Sequence, residues 1–387
     1  MSSKRSLAGI VALCLLAAAF VAAGSAVWAA APAVWKVGGV FTVTGPQSML
    51  GDPEKKSMEL AVEMINKKGG IDGHMLEAVI YDDEGDPAKA VSFTQRLINV
   101  DQVVAIVGPS LTPTTMPLLE IANSAGVPLV SCAAGNKITL PPTSFVFKTA
   151  QSDILAVSAI YRHLKKKGLK KVALLCVDTS FGQSGREQLK AQATQFGLTI
   201  VADELYGDKD TDMSAQLTKI RGLKPQAIVC WGTNPGPAVV AKNAHDLKLG
   251  IPLFMSHGVA SPKFIEIAGA NAEGIVLPTG KIPVAALLAP KDPQKAALDT
   301  YTKAYTAKYG TPASPFGGYA WDAMLILEKA LKGTGGDRAK LRASIEKVRL
   351  LRGVSGTFTF TPQDHNGLGA DAFVMVVIKG GKFELVK

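Results

Sequence analysis

Cysteine is scarce in this chain, with four in 387 residues, too few for a small disulfide-stapled scaffold. Charge is sparse as well, at 19% of residues against 47% hydrophobic, which excludes a disordered chain. Signatures of catalysis and nucleotide binding are missing. There is no GxxxxGKS/T phosphate loop, no GxSxG and no HExxH, and the five histidines are scattered. The glycines at 333, 335 and 336 fall between two helical stretches, so they read as a connector and not as a dinucleotide fingerprint. Asp208, Asp210 and Asp212 open like a calcium loop, but Met213 stands where glycine is needed and Lys219 where glutamate is needed. No metal, cofactor or enzymatic reaction is therefore expected.

Long apolar runs are missing too, apart from one at the start. Lys4 and Arg5 precede an apolar stretch over residues 7–23, and Ala29, Ala30 and Ala31 follow it. This is the three-part pattern of a secretory signal over residues 1–29, and a retained membrane anchor is the competing reading. Cys14 lies inside the apolar run behind Leu13, the wrong place for lipid attachment. The mature chain is expected to be exported and periplasmic, with Cys132, Cys176 and Cys230 as buried small hydrophobes in strand-like surroundings. The positive balance, 42 Lys+Arg against 32 Asp+Glu, is spread along helix faces, as at 165–167, without aromatic interleaving. It describes a soluble surface and no nucleic-acid partner.

What is present is a rhythm. Apolar runs of strand length at 35–43, 76–82, 103–107 and 128–131 alternate with helix-period segments at 54–67, 87–99 and 114–125. The rhythm starts afresh, with helices at 154–167, 185–195, 213–221 and 237–247 and strands at 171–177, 199–204, 227–231 and 253–256. Two consecutive doubly wound α/β halves are expected. Helical stretches at 293–309, 316–332 and 337–348 have few strands of their own and are expected to cover the first half, and a strand-rich tail over 356–386 closes the chain. Short polar or glycine-rich segments follow six of the strands, at 44–46, 108–112, 132–136, 178–182, 232–234 and 256–258. Ligands of open α/β sheets bind outside the carboxyl ends of strands, so two facing rims suit a small polar-headed ligand.

These residues resemble the leucine/isoleucine/valine-binding family of periplasmic substrate-binding proteins, the soluble receptors of ABC importers. The likeness is carried by VGGVFTVTG at 37–45, AVEMINKKGGID at 61–72, AGVPLVS at 125–131, DMSAQL at 212–217 and FGGYAWDAMLIL at 316–327. It implies a type I periplasmic binding protein: two Rossmann-like lobes, 33–150 plus 284–355 and 151–281 plus 358–387, joined by crossings near 149–153, 278–283 and 354–361. It further implies a monomeric clamp that closes on one small molecule and delivers it to an inner-membrane permease complex.

Carried over residue by residue, the resemblance gives Thr112 the hydroxyl that holds a ligand carboxylate and Ala133 a backbone contact. Gly135 stands where amino-acid receptors have a threonine, and His257 where they have an acid facing the α-ammonium. Both ammonium partners are missing, whereas His257 can donate to a carboxylate. Leu50, Phe181, Phe316 and Tyr319 are candidates for an apolar wall, and Thr233 and Asn234 for the second rim. The expected ligand is an aromatic or short aliphatic acid without an α-amino group. A true branched-chain amino-acid receptor and a ligand-sensing regulator of the same fold are the alternatives. Gly85 and Leu111 occupy positions where some relatives carry a cysteine pair.

Overall fold

The computed structural model describes residues 34–386; the expected signal segment lies outside them. Five parallel strands make the first sheet: β1 (Val34–Phe41), β2 (Met75–Asp82), β3 (Ala105–Val107), β4 (Leu129–Ser131) and β5 (Val146–Lys148), in the order β2-β1-β3-β4-β5. Helices α1 (Ser48–Lys67), α2 (Pro87–Asn99), α3 (Thr112–Thr115) and α4 (Leu118–Ala125) connect them. The sequence sets the ends of α2 sharply. Asp86 accepts hydrogen bonds from the N–H groups of Ala88 and Lys89, and Pro87 takes the first helical position, where no N–H is needed. Helix α1 begins six residues before the expected start at 54, because its first turn forms ahead of Pro53 and the proline removes only one intrahelical bond.

From β5 the chain passes into α5 (Asp153–Lys166) and the second sheet. That sheet contains β6 (Lys171–Val177), β7 (Thr199–Tyr206), β8 (Ala227–Trp231), β9 (Leu253–Met255) and β10 (Val276–Thr279), with α6 (Ser180–Phe196), α7 (Ser214–Gly222), α8 (Gly236–Asp246) and α9 (Pro262–Ala268) between them. Its continuous apolar strands are those of a sheet covered on both faces: six of the seven residues of β6 are buried. Strands β5 and β10 are not among the expected ones; β5 ends in a lysine and β10 contains a proline, which interrupt their apolar runs.

Helices α10 (Lys295–Tyr309), α11 (Pro315–Ala330) and α12 (Arg338–Ile345) return to the first half. Tyr301, Trp321, Met324 and Leu327 share one buried cluster with Phe41, Met58 and Ile65. The approach of α11 to α1 depends on Gly317: a Cβ there would meet the Ser57 and Tyr301 hydroxyl oxygens at 2.6 Å.

A two-stranded ribbon follows, β11 (Leu351–Arg352) with β12 (Thr357–Phe358), and then β13 (Val374–Lys379) and β14 (Lys382–Leu385) extend the second sheet antiparallel. Its order is β14-β13-β10-β9-β8-β6-β7. The third crossing lies later than the expected 354–361. Phe358 and Phe360 are buried in the first core, and His365 and Asn366 remain bonded to β5 and its exit, the latter through Lys148 and Ala150 carbonyls at 3.3 and 3.0 Å. The residues after 357 therefore pack on the first lobe until the chain reaches β13, where the expected lobe boundary at 358 had placed them on the second.

Buried polar side chains tie the first crossing to the segment that leads into the third. Gln151 donates to the Ser355 carbonyl at 2.8 Å and accepts from the Tyr319 hydroxyl at 2.9 Å. Asp322 accepts from the N–H groups of Val354 and Ser355 at 2.9 and 2.7 Å, and Gln294 donates to the Gly353 carbonyl at 3.1 Å.

Candidate functional site

The carboxyl ends of the two sets of parallel strands face each other across a cavity of about 270 Å³, near the lower end of the ligand-pocket range of roughly 300–1,000 Å³. The first lobe lines it with Gln47, Leu50, Ser110, Leu111, Thr112, Cys132 and Ala134, together with Phe316 and Tyr319 from α11. The second supplies Thr179, Ser180, Phe181, Asp208, Thr233, His257 and Gly258. The lobes also touch directly. Gln47 Nε2 donates to Thr233 Oγ1 at 3.1 Å, the Asn136 N–H to Ser184 Oγ at 3.0 Å, and Lys137 pairs with Glu187 at 2.7 Å. These bonds exist only when the two rims are together, so the cleft is closed.

Of the expected site residues, Leu50, Thr112, Phe181, Thr233, His257, Phe316 and Tyr319 share this cavity. Ala133, Gly135 and Asn234 do not line it. The Ala133 N–H is used by Ser131 Oγ at 3.1 Å, and its neighbours Cys132 and Ala134 face the cavity instead. Asn234 is buried, with Nδ2 against Met49 Sδ at 3.3 Å. Gly135 lies behind Thr112 and borders an adjoining chamber with it. A Cβ on Gly135 would meet Thr112 Cγ2 at 2.5 Å, so the threonine at 112 fills the space a side chain at 135 would need. The Gly135 N–H donates to Thr112 Oγ1 at 3.2 Å, which turns the hydroxyl's own proton elsewhere and frees it for an acceptor.

Of the six polar segments, the one at 44–46 stays off the wall, because Thr44 donates to Asp82 at 2.7 Å; Gln47 and Leu50 take its place. Gly85 and Leu111 are neighbours, as the resemblance implies for that pair: a Cβ on Gly85 would lie 3.6 Å from Leu111 Cδ1. Asp210 and Asp212 bond to local N–H groups of Gly207 and Ser214 at 2.7 and 2.8 Å.

His257 is only 3% exposed and sits among aromatic rings, with Phe373, Phe181 and Trp231 centroids at 5.3, 5.8 and 5.8 Å. Neither ring nitrogen has a hydrogen-bond partner. Burial, helped by the nearby Lys148 charge, lowers its pKa to about 3 and keeps the imidazole neutral. Its Nε2 lies 3.9 Å from Asp153 Oδ1. Asp153 begins α5 and is fully buried, and burial raises its pKa to about 7 against the opposing Ser184 hydroxyl and Lys148 ammonium. Lys148 is buried at the end of β5 and lowered to about 8, again by burial, while Nζ donates to the Ala134 and Gly135 carbonyls at 2.6 and 3.3 Å. Ser110 donates to the buried Glu54, whose carboxyl burial pushes up, and accepts from the Thr42 N–H at 3.0 Å.

Reading the sequence missed Lys148, Asp153 and Asp208. Lys148 had a signal, a single lysine inside the apolar run SFVFKTA. Asp153 had none, since an acid at a helix start reads as a cap.

Two open α/β lobes and a closed cleft at the strand ends define a two-lobed ligand-binding protein of the Venus-flytrap kind. The sequence pattern of the family described as periplasmic binding protein matches residues 34–382. The chain belongs to that family, in its type I leucine/isoleucine/valine-binding branch. It is 27% identical over 329 residues, 84% of this chain and 86% of the relative, to a leucine-, isoleucine-, valine-, threonine- and alanine-binding protein of Pseudomonas aeruginosa. An extracellular ligand-binding receptor from Rhodopseudomonas palustris HaA2 superposes with a TM-score of 0.85 at 28% identity, covering 91% of this chain and 99% of that one. A branched-chain amino acid transporter substrate-binding protein from Streptococcus pneumoniae, in complex with isoleucine, gives 0.80 at 28% identity, covering 92% and 99%. Among the described residues no helix is long and apolar enough to cross a membrane.

Proposed function

We propose that this protein is an exported, monomeric receptor that closes around a small carboxylate-bearing molecule without an α-amino group and delivers it to an ABC permease complex in the inner membrane. Aromatic acids and short aliphatic or keto acids are the classes that fit. The observation carrying this reading is His257: a buried neutral imidazole with two unpartnered nitrogens on the cavity wall. A neutral imidazole offers one N–H to a carboxylate and no counter-charge to an ammonium. Thr112 supplies a second donor, and Leu50, Leu111, Phe181, Phe316 and Tyr319 an apolar wall. Thr112 and Phe316 come from one lobe, His257 and Phe181 from the other. A ligand bridging them stabilises the closed state through contacts the open state lacks, and no bond is broken. The division into two lobes swinging on three crossings is part of this reading.

A branched-chain amino-acid receptor is the second reading, favoured by Asp208, an acid on the same wall, and by the ligands named for the relatives above. Asp208 is exposed, so an ammonium beside it would sit at the mouth of the cleft. A thermal-shift screen decides between them. Stabilisation by benzoate-type or short aliphatic acids and none by leucine or valine supports the first reading; the reverse pattern overturns it.

A further inference from the structure

Beneath the cleft, three ionisable side chains converge from separate parts of the fold: Lys148 from the last strand of the first sheet, Asp153 from the first helix beyond the crossing, and His257 from the loop after β9. All are buried, at 0%, 0% and 3% exposure. Their polar atoms are poorly served. Both Asp153 oxygens and both His257 nitrogens lack a hydrogen-bond partner in good geometry, and Asn136 Nδ2 beside them is also unpartnered. Four unpartnered polar atoms on two facing groups are costly at any fixed protonation state. A group that cannot settle its protons with its neighbours settles them with what arrives.

The cluster is also wired to the binding wall. His257 faces the cavity itself, and Lys148 grips the carbonyls of Ala134 and Gly135, which border the cavity and its adjoining chamber. The remaining charged groups around it are few: Asp364 acts on Lys148 from behind, and Asp208 lies on the exposed rim. Trp231, Phe181 and Phe373 enclose His257 without charge, and Ser184 faces Asp153 from α6.

We propose that Lys148, Asp153 and His257 form a proton-storing cluster, and that binding a carboxylate ligand draws a proton from solvent onto it. The proposal rests on the carboxylate reading above. The negative charge enters next to His257; the proton taken from water comes to rest on the Asp153 and His257 pair, with Lys148 kept charged. The ligand's charge is thereby neutralised without a permanent counter-ion, and Asp153 acts as a positioning residue behind the histidine. The directions agree, since burial pushes Asp153 up to about 7 and Lys148 down to about 8. The sign follows from linkage. If the bound state holds more protons, raising the pH weakens binding, by up to about tenfold per pH unit for one full proton.

The test is calorimetric titration of the purified protein with benzoate and with α-ketoisocaproate, in paired buffers of different ionisation enthalpy, from about pH 7 to about pH 9, where both probes stay ionised. The expected result is uptake of a substantial fraction of a proton per ligand, with the dissociation constant rising as pH rises. Asp153→Asn is expected to abolish the uptake, as is His257→Gln, the second variant should the first fail to fold. Thr112→Ala is expected to weaken binding while keeping the uptake. Acid binding with an enthalpy independent of buffer overturns the proton-storing role and leaves the carboxylate reading standing. Failure of both acids to bind, with leucine bound, overturns both.

Discussion

Removing one oxygen from the cleft wall should loosen the hinge. The Tyr319 ring lines the cavity, and its hydroxyl donates to Gln151 Oε1 at 2.9 Å, while Gln151 Nε2 donates to the carbonyls of Ser355 and Ala372 at 2.8 and 3.4 Å. One amide thus joins the first crossing to the third, and the ligand wall to both. Tyr319→Phe keeps the ring and leaves a fully buried amide oxygen without its donor. An unsatisfied buried acceptor costs about 1–3 kcal/mol. At about 2–4 °C per kcal/mol for lobes of this size, the melting temperature should fall by about 2–12 °C. Differential scanning calorimetry measures this directly, and a double-mutant cycle with Gln151→Leu should return a coupling of about 1 kcal/mol. A Tyr319→Phe protein that melts within a degree of the parent, with zero coupling, would refute the claim that this bond holds the hinge.

Three further outcomes are expected. Gly135→Thr should destabilise the protein by about 1–3 kcal/mol in urea unfolding, because its side chain collides with Thr112, and should weaken ligand binding through the displaced hydroxyl. Lys137→Ala should change stability by less than about 1 kcal/mol, since its partner Glu187 and Lys137 itself are well exposed; a larger effect, or one insensitive to salt, would contradict a screened surface pair. Asp322 is raised to about 7 by burial, above its unfolded value, so its contribution to stability is complete below about pH 4 and declines as pH rises through about 7. Asp322→Asn should flatten the stability profile over that window, and an unchanged slope would show that another group sets it.

Much of the architecture was legible because buried parallel strands announce themselves. Runs such as KVALLCV and AIVCW carry no polar residue after the first lysine, and Pro87 and Gly126 mark helix ends on steric grounds alone. The return of the late helices followed from a lack of strands for them to cover. Strand β5, three residues ending in a lysine, is not among the expected strands, and the expected crossing near 354–361 comes from the resemblance, whereas Phe358 and Phe360 are buried in the first core. At the site, loop positions after strands were recoverable, since topology fixes where ligands go. Whether a backbone N–H in such a loop is free was not: Ala133 lost its own to Ser131, a bond set by local turn geometry. The burial of Asp153 depended on partners far along the chain, and nothing within its own segment encodes it, whereas Lys148 stood out only as a lone lysine in an apolar run.

On the proposed reading the cleft takes a carboxylate and offers an α-ammonium no buried partner. Leucine and α-ketoisocaproate differ only in the group at the α-carbon, so calorimetric titration of the ligand-free protein with each isolates that group. The keto acid is expected to bind at least about tenfold more tightly, since a desolvated ammonium without a partner costs well over the 1.4 kcal/mol that tenfold represents. Tighter binding of leucine would contradict it.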